Sequence, residues 1–183
     1  MEKETIKDFW IIMSIREIST QAHFAEIAYR NIDPKATKGT DAVFSSIHSF
    51  LSHCANVSKM LKAIDDENPS KTIGGILGVS KNSNIHKRKF RNCLEHYDKE
   101  LKKWIKNKKD NSSIGTYNIG PKSAIQSNDM ILVNHYDPTD NTFTFVNKDF
   151  NLNIMYKEVS KIKTIADKWI TRMQFEIIKP PFA

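Results

Sequence analysis

The sequence predicts a mainly α protein: an antiparallel four-helix bundle with a small antiparallel β-hairpin or three-stranded meander inserted between the third and fourth long helices. Three observations carry that expectation. Apolar residues recur at helical spacing along one face in four long stretches. The first two stretches are joined by too few residues to be anything but antiparallel neighbours. Between the third and fourth stretches, alternating β-branched and aromatic runs flank a turn-rich segment. The 183 residues are expected to form one domain, residues 1–183, with the β insertion at about 114–155.

From about Thr5 to Asn31, the positions Ile11, Ile15, Ile18, Ala22, Ala25 and Tyr29 share one helical face. Asp33-Pro34 stops this helix, because the residue before a proline is pushed out of the helical region. Thr40 or Asp41 can cap the second helix, whose seam is Val43, Ile47, Phe50, Cys54, Val57 and Leu61. His23, His48 and His53 fall beside these seams and are expected to be structural. In the loop region from Ile64 to Ser83, Ile73, Ile76, Leu77 and Val79 form a short helical turn that plugs the end of the bundle. Its glycines lack the Gly-x4-Gly-Lys-Ser/Thr spacing of a phosphate loop.

A third helical pattern runs from about Asn84 to Lys106, with Ser83 as its cap. Met130–Tyr136 and Thr142–Val146 are strand-like runs around the turn chemistry of Asp137–Asn141, and Phe150 to Tyr156 is a candidate third strand. Asp137, Thr139 and Asn141 resemble the start of a calcium loop. Thr142 stands where that loop needs glycine and Lys148 where it needs a carboxylate, which excludes the site. The fourth helix follows Met155, Val159, Ile162, Ala166, Trp169 and Met173, and ends before Lys179-Pro180-Pro181.

The net charge is +7, carried by 23 Lys and five Arg, which suits an acidic partner such as RNA. Cys54 and Cys93 sit on separate helical patterns and read as small buried hydrophobes in a reducing compartment. The charged first residues do not resemble a secretory leader, and no apolar run is long enough to span a membrane. The expectation is a cytoplasmic protein with no membrane partner. No paired carboxylates or His/Cys constellation argue for a metal or a cofactor, so neither is expected.

The stretch that concentrates chemistry is Phe90-Arg91-Asn92-Cys93-Leu94-Glu95-His96-Tyr97-Asp98. Phe90, Leu94, Tyr97, Leu101 and Trp104 form the core-facing arc of its helix. Asn92, His96, Lys99 and Lys103 gather on the far side, with Arg91 on a flank. Asn92 and His96 are one turn apart. Arg91 and His96 are offset by about 140° and roughly 7 Å along the axis, so only a side chain as long as Arg reaches the same small anion. A second copy of the helix would supply the wall that a flat helix face lacks. A blander reading is an exposed Arg91–Glu95 ion pair beside a solvated Asn92 and His96. Arg16 and His23 repeat the spacing, but without the polar residue after the Arg.

The arrangement Arg91-Asn92-x3-His96 on a late helix of a helical bundle resembles the signature of the HEPN family. The resemblance implies a compact four-helix bundle that dimerises with the two motif helices facing each other. It also implies a metal-independent endoribonuclease, often part of a toxin–antitoxin or antiphage system, in which an antitoxin protein is a further partner. On that reading Arg91, Asn92 and His96 are catalytic, while Lys87, Arg88, Lys89, Lys99 and Lys103 attract the RNA backbone. Some members have lost activity, so the alternative is an inactive dimeric module binding RNA, nucleotide or protein. A plain helical interaction protein is the remaining rival.

Overall fold

The computed structural model describes residues 2–65, 68–86, 97–107, 113–125, 130–146 and 148–178. Among the described residues, three long helices, α1 (Glu2–Arg30), α2 (Thr40–Leu61) and α5 (Leu152–Ile178), are accompanied by two shorter ones, α3 (Ile73–Ile76) and α4 (Tyr97–Lys106). Strands β1 (Ile64–Asp65) and β2 (Asn68–Thr72) pair antiparallel. Strands β3 (Ser113–Ile119), β4 (Met130–Asp137), β5 (Thr142–Phe145) and β6 (Lys148–Asn151) form one sheet in that order.

α1 lies between α2 and α5 and packs extensively against both. Along α1, Gln21 meets His53 and Asn56 of α2, and Tyr29 meets Phe50. Ser19 meets Asp167 of α5, and Tyr29 meets Asn153 and Tyr156. The α5 partners rise as the α1 positions fall, so these two helices run antiparallel. The seam that faces this core is the one the spacing dictates: Ile15, Ile18, Ala22 and Ala25 of α1 and Val43, Ile47, Phe50, Cys54 and Val57 of α2 have no exposed surface. Burial also pushes the Cys54 thiol far above its ordinary pKa, so it stays an inert, neutral filler.

The expected four-helix bundle with an inserted hairpin is not what forms. The sheet is mixed: β3 and β4 are parallel, while β4–β5 and β5–β6 are antiparallel. The reason lies in where the strand residues go. All four residues of β5 are buried, and Leu132, Val133, Tyr136, Phe143 and Phe145 belong to the core. Phe143 meets Phe44 at 6.3 Å and His48 at 5.7 Å between ring centroids, both on α2. The sheet therefore covers the part of α2 that a fourth helix would otherwise cover, and is not a surface decoration. Burial there of several side chains at about 1.5–3 kcal/mol each fixes the sheet to the helices.

Element boundaries shift for local reasons. Asn151 accepts a hydrogen bond from the Ile154 amide at 2.9 Å, and the Leu152 amide donates to the Asn141 carbonyl at 2.9 Å, so α5 begins where a third strand was expected to continue. Thr40 and Asp41 lie inside the first turn of α2, and the capping position is Gly39 at φ 91°. Thr72 caps α3, its hydroxyl accepting from the Gly75 amide at 3.0 Å. Of the helix expected from about Asn84 to Lys106, the described residues are the 3-10 turn Asn84–His86 and α4; residues 87–96 lie outside them.

Candidate nucleic-acid interface

α4 is the described end of the helical pattern, Asn84 to Lys106, that contains the stretch on which the sequence concentrates chemistry. Leu101 and Trp104 pack against the core. Glu100 forms an ion pair with Lys148 of β6, which ties the helix to the sheet on that side. Lys99, Lys102, Lys103 and Lys106 are exposed and occupy an arc of about 100° on the opposite side. Lys103 and Lys106 fall in the last turn, where cations offset the helix dipole. This is a solvent-facing strip of ammonium groups held on a helix whose other face is anchored.

Of the residues singled out from the sequence, Lys99 and Lys103 are therefore placed together on one exposed face. Arg91, Asn92 and His96, and the cluster Lys87, Arg88 and Lys89, lie outside the described residues, as does Cys93. His86, at the end of the described 3-10 turn, is half-buried. Burial and the nearby Lys62 hold its imidazole below the ordinary pKa, against the pull of Glu158. Ser83 sits at the start of the 3-10 turn, where its hydroxyl oxygen accepts from the Ile85 amide at 3.4 Å and its proton goes to the Glu158 carboxylate of α5.

A second constellation, which sequence reasoning assigned a structural role, lies between α1 and α2. The Gln21 amide nitrogen donates to Glu17 at 2.8 Å. Its oxygen meets His53 Nδ1 at 2.7 Å and Asn56 Nδ2 at 3.2 Å. Three contacts thus fix the amide orientation, and an amide oxygen only accepts, so Nδ1 of His53 carries the proton and Nε2 carries the lone pair. Burial lowers the His53 pKa and favours this neutral ring. The imidazole packs against Phe24, with ring centroids 5.4 Å apart. An open groove of about 290 Å³ begins here, lined by Phe24, Ile27, Asn31, Ser45, Ser49 and His53 among others. The signal available in the sequence was the pairing of His53 on one seam edge with Gln21 on the other, visible only once the helix register was known.

On the sheet face turned away from α2, Asn118, His135, Thr144 and Asp149 lie in one cross-strand row. Lys122, just after β3, donates its backbone amide to Asp137 at 2.7 Å and its ammonium to Asp149 at 2.8 Å, while Thr144 also donates to Asp149. Burial raises both carboxyl pKa values, but these hydrogen bonds outweigh it and hold Asp137 and Asp149 below the ordinary value. His135 beneath them is 2% exposed. Burial lowers its pKa, Asp137 opposing.

Among the described residues, no group of three or more His, Cys, Asp and Glu is placed to hold a metal ion, and no helix is long and apolar enough to cross a membrane. No family model, no curated protein and no solved structure matches this chain.

Proposed function

We propose that the chain is a metal-independent endoribonuclease of the HEPN type, acting as a homodimer, with Arg91, Asn92 and His96 as catalytic residues. The observation that carries the reading is the Arg91-Asn92-x3-His96 sequence standing immediately ahead of α4, a helix whose solvent face is a strip of lysines. The bundle architecture that accompanied the resemblance is overturned, so the reading rests on the motif and on this charged surface.

The chemistry needs a proton acceptor, a proton donor and positive charge at the phosphorane oxygens. In the proposed mechanism the RNA's own 2′-hydroxyl attacks the adjacent phosphorus. The new 2′-O–P bond forms as the P–5′-O bond breaks, leaving a 2′,3′-cyclic phosphate and a 5′-hydroxyl. An imidazole titrates near neutrality and suits both proton transfers. The dimer provides two copies of His96, one to take the 2′-hydroxyl proton and one to protonate the departing oxygen. Arg91 stabilises the charge on the phosphorane, and Asn92 orients the imidazole or the phosphate. Lys99 and Lys103, with Lys87, Arg88 and Lys89, attract the RNA backbone without reading its sequence.

The test is cleavage of end-labelled RNA in EDTA by wild type, His96→Ala and Arg91→Ala. The expected result is metal-independent cleavage by wild type that ends in cyclic phosphate and falls by about 10²–10⁴ in His96→Ala. Equal cleavage by wild type and His96→Ala, or none by either, overturns the reading.

A further inference from the structure

We propose that the groove between α1 and α2 seats a nucleobase. The site does not depend on the ribonuclease reading, and it is built from residues that reading does not use. Its apolar side is Phe24 and Ile27 of α1, 43% and 40% exposed. Its polar side is Asn31 at the end of α1 and Ser45, Ser49 and His53 on α2. Among the described residues no lysine, arginine, aspartate or glutamate lines it, so its chemistry suits an uncharged group.

Three features narrow that group to a heteroaromatic base. Phe24 lines the groove and is 43% exposed although His53 packs against it, so it supplies an accessible aromatic ring, and stacking on such rings is the sequence-tolerant way in which proteins hold single-stranded bases. The Asn31 side chain carries a donor and an acceptor together, which matches the edge of a base, and the serine hydroxyls supply adaptable donors. The hydrogen bonds Glu17–Gln21–His53 commit the His53 ring to presenting a lone pair at Nε2, an acceptor for an exocyclic amine. The groove is lined by α1 and α2 and is no sheet edge, so a peptide cannot add to it as a strand. At about 290 Å³ it sits at the lower limit of ligand sites, roughly 300 Å³. It holds one ring system of a larger ligand and leaves sugar and phosphate outside. A free nucleotide and a base within RNA share this chemistry.

Titrations of adenosine, guanosine, cytidine and uridine monophosphates, and of a short single-stranded RNA, test the site with full-length His96→Ala protein, which leaves RNA intact. Phe24→Leu, which keeps the apolar surface but removes the stacking face, is expected to weaken binding about tenfold. Phe24→Tyr is expected to bind like wild type. Asn31→Leu is expected to weaken binding about tenfold and to change which base is preferred. Binding of mononucleotides identifies a free nucleotide as a sufficient source; Phe24-dependent binding of RNA alone identifies the polymer. Failure of every mononucleotide and of RNA to bind, or binding that Phe24→Leu and Asn31→Leu leave unchanged, overturns the proposal. A wild type that cuts no RNA yet shows Phe24-dependent binding removes only the ribonuclease reading. Cleavage without Phe24-dependent binding removes only the groove.

Discussion

Lys148 of β6 and Glu100 of α4 form an ion pair across the junction between the sheet and the lysine-bearing helix. The pair is partly exposed, 37% for the lysine side chain and 25% for the glutamate, so its contribution is about 1 kcal/mol or less. Its position matters more than its size, because it ties α4 to the sheet while Leu101 and Trp104 hold the helix to the core. Lys148→Met is expected to speed amide exchange in residues 97–107 well before it changes global stability. Hydrogen-exchange mass spectrometry reads this directly, and a uniform rise across all helices would contradict it.

Lys99→Ala and Lys103→Ala are expected to weaken RNA binding to a similar degree for unrelated sequences. Each should reduce the slope of log affinity against log salt by about 0.7–1. A change in base preference, or an unchanged slope, would show that α4 does not track the phosphate backbone.

Asn141 holds three elements together. Its amide nitrogen donates to the Tyr29 hydroxyl at 2.8 Å and to Asn153 at 2.9 Å, and its oxygen accepts from the Tyr136 hydroxyl at 3.0 Å. Its φ of 57° is a left-handed conformation that a β-carbon disfavours unless the side chain bonds locally. Asn141→Ala should therefore cost about 2–3 kcal/mol, combining lost hydrogen bonds with backbone strain. Asn141→Gly should cost about 1 kcal/mol less, since glycine removes the strain. Equal losses in urea unfolding would mean that strain plays no part.

The adjacent glycines of α3 are expected to respond differently. A β-carbon at Gly74 would stand 2.9 Å from the Leu61 carbonyl oxygen, a backbone atom that cannot step aside, whereas one at Gly75 meets the Thr72 hydroxyl at 3.4 Å. Gly74→Ala should destabilise the protein by about 1–3 kcal/mol, while Gly75→Ala should lie near neutral or stabilise by a few tenths. Thermal unfolding of the two variants side by side distinguishes them.

Acidification should weaken the fold through its buried imidazoles. Burial lowers the folded-state pKa of His48, His53, His86 and His135 below the ordinary 6.5. Below that pH the unfolded chain binds protons that the folded chain refuses, so stability is full above 6.5 and declines as pH falls through the folded values. His135→Leu removes the most deeply buried of these groups. It is expected to flatten the decline between about pH 6.5 and 5, and to be no less stable than wild type at the acid end. A denaturation midpoint that falls as steeply in the variant would locate the sensitivity elsewhere.

Much of the helical part of the fold could be read in advance, because burial on a helix follows a fixed rotation per residue. Ile15, Ile18 and Ala22, and Val43, Ile47 and Phe50, face the core as their spacing requires. The turn residues Asp137–Asn141 and the runs on either side placed β4 and β5. What could not be read was β3. Its Ile114-Gly115-Thr116-Tyr117 lies next to β4 in parallel through two register shifts, and pairing of that kind leaves no local signature. Nor could the role of the sheet be read: Phe143 and Phe145 are as apolar in a surface hairpin as in a core strand, and only burial and the contact of Phe143 with α2 distinguish the two. For the site, Lys99 and Lys103 sit on the exposed face their spacing assigned them, while the helical stretch that would set Arg91, Asn92 and His96 relative to one another lies outside the described residues. The Gln21–His53 pair belongs to two helices, and no single-helix pattern announces it.

The central place of α1 has a consequence for synthesis. Its partner on one side, α2, follows it directly from the ribosome, but its partner on the other, α5, is translated only after the whole sheet. Until then Ser19 lacks Asp167, and Tyr29, already against Phe50 of α2, lacks Asn153 and Tyr156. The nascent chain must remain unfinished through most of its translation, and a stop codon placed ahead of Leu152 should give a product that chaperones retain or proteases remove.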